Sequence, residues 1–135
     1  MYAPTLAFAS FNGNVDWDLS SRHMTILLDA WTEVDVAWLE AMPGIPNLYD
    51  SGVRYYADKF WEGPWLDCVT AALMRFADCK SLATWRCAEL RVRHGIHAVP
   101  EFSRVLLSDG SQWFHVFVRL PDGTFEDPSR LLGMK

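Results

Sequence analysis

The stretch FADCKSLATWRCAELRVRHGI, from Phe76 to Ile96, contains the change of period on which the fold turns. Leu82, Trp85, Ala88 (or Glu89) and Val92 recur at three- and four-residue steps, so a helix is expected from about Lys80 to His94. Gly95 stops it. Past Gly95 the apolar residues alternate instead. AVPEFSRVLL (98–107) reads as a strand, SDGSQ as a turn, and WFHVFVRL (113–120) as a second strand. In that second strand Phe114, Val116 and Val118 share one face, and Trp113, His115, Phe117 and Arg119 the other. PDG (121–123) is a hairpin turn signal, and TFEDPS (124–129) reads as a short third strand.

Upstream, LDCVTAALMRF (66–76) reads as a short helix. The aromatic connection LYDSGVRYYADKFWEGPW (48–65) fits a short strand or a short helix, and its pattern does not choose between them. MPGIPN (42–47) ends an earlier helix, because Pro43 and Pro46 cannot continue one. That helix starts at Ser20 or Ser21, either of which suits an N-cap. Its expected apolar face is Leu27, Trp31, Val34, Trp38 and Met42. FNGNVDWDLSS (11–21) reads as turn and loop before it. Helices come first and an antiparallel hairpin sheet follows, which is an α+β plan with helices packed on a small sheet. We expect a single domain over residues 1–135, with a helical, aromatic-rich lead-in (1–64) and a core (65–135).

Composition narrows the function classes. The chain has 135 residues, 50% of them hydrophobic and 21% charged, so it can bury a core. Twelve basic against 17 acidic residues leave a net charge of -5, which does not suit a phosphate-binding face. Arg86, Arg91 and Arg93 sit late in one helix, where they complement its dipole and read with Glu89 as a solvated face. Three cysteines without close pairing argue against a disulfide framework and for a reducing compartment. The absence of Lys or Arg before Arg22 does not fit a signal peptide, and apolar runs are too short to span a membrane. A soluble chain inside a cell is expected, with no cofactor, no nucleic acid and no membrane partner.

The chemistry-bearing residues fall in the second half. Cys79 is placed at a helix start with Asp78 as its cap, where the positive end of the dipole favours a thiolate. His115, inside the best strand, could serve as its base. Asp127, across the PDG turn, could orient that ring if a bulge or register shift brings it within diagonal reach. Cys87 reads as a small buried hydrophobe. Cys68 does too, although WLDCVTAAL (65–73) could itself be a nucleophile-bearing helix start. Steps of eleven and eight residues between the cysteines do not match structural zinc spacing, so no metal is expected. His23, His94 and His97 read as structural.

DCKSLATWRCAELRVRHGIHAVP (78–100) resembles the catalytic helix of transglutaminase-like proteins, whose core is shared with papain-like cysteine peptidases. FHVFVRLPDGTFEDPS (114–129) resembles that family's His strand and closing Asp-Pro strand. The resemblance covers residues 65 to 134, with Ala77 standing where the family carries Gly. It implies Cys79 as nucleophile, His115 as base and Asp127 as orienting carboxylate. It also implies a protein or peptide substrate. Relatives use a Trp or Gln side chain as an oxyanion donor beside the cysteine N–H. The one glutamine, Gln112, is not upstream of Cys79, whereas Trp61 and Trp65 are, and Trp65 is the expected donor. PNLYDSGVRY (46–55), WLDCVTAAL and EDPSRLLGM (126–134) resemble small transglutaminase-like proteins of tailed phages. That likeness implies a location in the host cell or on the virion, with phage structural proteins as partners. Three readings remain open: an acyl-transfer enzyme that hydrolyses or transamidates an amide, a particle component, and an inactive peptide-binding module.

Overall fold

The computed structural model describes residues 17–57, 64–106, 108 and 112–135. Trp61, most of the FNGNVDWDLSS stretch and the tip of the SDGSQ turn lie outside the described residues. The elements run α1 (Trp17–Ala41), a 3-10 turn (Leu48–Asp50), β1 (Arg54–Tyr55), α2 (Cys68–Met74), β2 (Phe76–Ala77), α3 (Cys79–His94), β3 (Val99–Leu106), β4 (Gln112–Arg119), β5 (Phe125–Glu126) and α4 (Pro128–Leu131). The architecture is α+β, with a three-stranded antiparallel sheet ordered β3-β4-β5 and a separate parallel pair, β1-β2.

α1 begins at Trp17, so Ser20 and Ser21 lie inside the helix and not at its N-cap. Its buried seam is also rotated from the expected one. Met24, Leu28, Thr32, Asp35 and Leu39 are buried, whereas Trp38 and Met42 are exposed. Two members of the true seam are polar, which is why counting apolar residues misplaces it. Each has its own partner. The Thr32 hydroxyl donates to Leu28 O (2.8 Å), and Asp35 Oδ1 accepts the Cys68 N–H (2.8 Å). A buried polar group is tolerable only when satisfied in this way.

α2 starts where Asp67 caps the Thr70 N–H (2.7 Å) and ends at Arg75, which takes the left-handed conformation at φ 68°. That turn sends Phe76 and Ala77 into β2, so the helix expected up to Phe76 stops two residues earlier. The parallel β1-β2 pair is too short to carry a period of its own.

α3 is the centre of the molecule. Its seam is the expected one, with Leu82, Trp85 and Ala88 fully buried. They join Leu39, Leu48, Val53 and Leu66 in one cluster, while Ala83, Cys87 and Leu90 on the opposite side join Met24, Leu28, Trp65, Val116 and Val118 in another. The charged residues of α3 do not form a solvated face. Glu89 is fully buried, accepting the Leu48 N–H (2.7 Å) and pairing with Arg86 (2.5 Å). Arg86 also reaches Glu126 (2.6 Å), Arg91 donates to Ala98 O (2.8 Å), and Arg93 donates to Asn47 Oδ1 (2.7 Å). Each cation ties α3 to a different element. Gly95 closes the helix at φ 65°, a conformation that favours glycine.

The β3-β4 hairpin follows the expected alternation. Val116 and Val118 are buried against α3, and Ser103 pairs with His115. The PDG turn closes through Gly123 at φ 87°, with Asp122 accepting the Thr124 N–H (2.9 Å). The third strand is shorter than TFEDPS. It ends at Glu126, because Asp127 and Pro128 open α4.

Candidate active site

β2 leads directly into α3, so Cys79 is the first residue of a helix held on both sides by core. Asp78 occupies the N-cap position but makes no side-chain cap hydrogen bond, and its carboxylate pairs with Lys80 instead. The Cys79 thiol lies on the edge of β4. The Sγ–H donates to Phe114 O at 3.9 Å, and the Val116 backbone acts on the sulfur in favour of the thiolate. The β4-β5 ladder ends before this point. Val118 pairs with Glu126 and Arg119 with Phe125. Continued, that ladder would set Val116 against Pro128, which has no N–H and starts a helix. The sulfur therefore sits beyond the end of that ladder, against the backbone next to His115.

His115 and Asp127 meet across the hairpin, with Nε2 2.8 Å from Oδ2. No bulge is needed. The register places Asp127 level with Phe117, on the same face as His115 and diagonal to it. The other carboxylate oxygen accepts the Arg130 N–H at 3.4 Å, so Asp127 caps α4 while holding the ring. The ring is also flanked by Phe117, with centroids 6.1 Å apart. With Nε2–H donating to Asp127, Nδ1 carries the free lone pair.

The electrostatics depart from the sequence expectation. The helix start does not lower the Cys79 thiol. Burial, and then the Asp78 carboxylate, push it up to about 11, against the smaller pull of the Val116 N–H and Lys80. Asp78 is itself raised, because burial outweighs Lys80 and Ser81. At neutral pH Cys79 rests as a thiol. Cys68 also heads a helix, but it is buried, and both desolvation and Asp35 raise its thiol. Cys87 is buried within α3, and desolvation pushes it up to about 12. Of the three thiols, Cys79 is the one that is only partly buried.

Trp65 is 3% exposed and belongs to the same apolar cluster that Cys79 packs on. It meets Trp31 edge to face (6.1 Å), with Lys80 Nζ 5.8 Å from its ring centre. It supports the helix start from inside. Two features of the site have no sequence signal. Tyr55, in the undecided aromatic connection, feels the charges of Cys79, Asp78 and Asp127. Glu126, next to Asp127, is held by Arg86 (2.6 Å) and by the Tyr49 hydroxyl (2.7 Å). Both depend on contacts between distant segments, which no local pattern encodes. Among the described residues, no three His, Cys, Asp or Glu side chains converge as a metal site, and no helix is long and apolar enough to cross a membrane. No family model, curated protein or solved structure matches the chain.

Proposed function

We propose that the protein is a cysteine-dependent acyl-transfer enzyme with a transglutaminase-like core, acting on an amide or isopeptide bond of a protein or peptide. One observation carries this reading. A His-Asp pair, bonded at 2.8 Å, stands on the strand whose backbone holds the single partly buried thiol. Nucleophile, base and orienting carboxylate then come from three elements, as the chemistry requires. The raised thiol sets the order of events. Cys79 rests as a thiol, so its proton passes to His115 as sulfur attacks the carbonyl. The C–S bond forms, the leaving amine departs with that proton, and water or a second amine resolves the thioester. Water as acceptor makes the enzyme a peptidase or deamidase, which we favour because no second substrate site is evident among the described residues.

The same raised thiol favours one alternative, an inactive peptide-binding module. The two readings separate on p-nitrophenyl acetate. The enzyme reading expects an acetyl thioester on Cys79, located by peptide mass mapping, that His115→Ala slows about 10²-fold or more. Acetylation that ignores His115, or that settles on Cys68 or Cys87, would leave the binding module as the function.

A further inference from the structure

We infer that Tyr55 is a catalytic residue of this site, its phenolic O–H serving with the Cys79 backbone N–H as the donor pair for the oxyanion. The inference rests on Cys79 being the nucleophile. It starts from the β1-β2 pair. Tyr55 is in register with Ala77, two residues before Cys79. The Tyr56 N–H donates to Ala77 O (3.0 Å) on one side, and the Tyr55 N–H donates to Leu132 O (3.0 Å) on the other. The residue is thus pinned between the strand that delivers Cys79 and the helix that Asp127 opens.

Its side chain is half-buried, and Cys79, Asp78 and Asp127 all act on the phenol. Among the described residues no group takes the Tyr55 hydroxyl as a hydrogen-bond partner, so it remains free for substrate. Burial, and then the ionised forms of those three groups, push the phenol up to about 12, so it keeps its proton at neutral pH. The Cys79 N–H, first of its helix, has no carbonyl four residues back to satisfy it. In the step itself, the thiol proton moves to His115 Nδ1 and the S–C bond forms. The carbonyl π pair moves onto oxygen, where the two donors receive it. Collapse restores the carbonyl and expels the leaving group with the proton from His115. Tyr55 donates a hydrogen bond and transfers no proton.

Two reagents isolate this role. Acylation by p-nitrophenyl acetate passes through an oxyanion, whereas alkylation by iodoacetamide displaces iodide and forms none. Tyr55→Phe is expected to slow Cys79 acetylation about 10²-fold, the usual worth of one such donor, and to leave the alkylation rate within about twofold. Acetylation at the wild-type rate would overturn the assignment. So would an equal fall in both rates, which marks a structural role. A second variant carries 3-fluorotyrosine at position 55, whose hydroxyl is a stronger donor. It should acetylate faster at an unchanged alkylation rate, and an unchanged acetylation rate would count against the donor. If wild-type Cys79 takes no acetyl group, the enzyme reading fails and this inference fails with it. Acetylation of Cys79 that survives Tyr55→Phe unchanged rejects Tyr55 alone.

Discussion

Cys79 shows how far a residue's chemistry depends on what packs around it. A helix start lowers a thiol by a fraction of a charge at its N-terminus, but the neighbouring group here is a buried carboxylate, Asp78, and the site is desolvated. Burial wins, and the direction reverses. The consequence is measurable. The rate of iodoacetamide alkylation at Cys79, followed by peptide mapping, should keep rising above pH 9 towards about 11, without the plateau near pH 7 of a thiolate-imidazolium pair. An early plateau would contradict the raised thiol. His115 was legible from strand alternation, whereas the reach of Asp127 was not, because the sequence alone asked for a bulge or register shift that the observed register does without. Tyr55 was not, since its partner strand lies more than twenty residues away and is two residues long.

At the scale of elements, buried polar groups join segments that hydrophobic periods treat separately. Asp35 ties α1 to the first N–H of α2, and burial raises its carboxyl to about 8. The sign follows from linkage. The unfolded chain ionises Asp35 near pH 4 while the folded protein keeps the proton, so stability falls as pH rises from about 4 to 8. Asp35→Asn should flatten that slope in urea titrations across this range, and an unchanged slope would show that Asp35 ionises normally. Glu126 works with the opposite sign. Arg86 and the Tyr49 hydroxyl hold it below its ordinary value despite burial, so its contribution is present above about pH 4 and is lost as pH falls through its folded value. Glu126→Gln should cost about 1 kcal/mol at pH 7, discounted for partial exposure, and little below pH 4. A cost that does not change with pH would assign its role to packing alone. In sequence, the arginines of α3 resemble a surface stripe. Only their long reach to Glu126 of β5, to Ala98 O ahead of β3 and to Asn47 in the turn after α1 shows them to be ties.

At the scale of the molecule, α3 is the element that both core clusters share, with Trp85 fully buried at its middle. Trp85→Ala should remove about 3–5 kcal/mol of stability, read as a lower urea midpoint with an unchanged denaturant slope. A change in that slope would show that the two clusters unfold apart. The sequence by itself determined the α+β order, the extent of α3, the hairpin and its turn, and the placing of Cys79 at a helix start and His115 on a strand. Those features rest on short-range physics: helical and strand periods, caps, and turn geometry. Tertiary structure alone decided which face of α1 is buried, the parallel β1-β2 pair, the burial of Glu89, the direction of the Cys79 shift and the presence of Tyr55 beside it. Each of these depends on desolvation and on contacts between residues far apart in the chain, and neither leaves a local pattern to read.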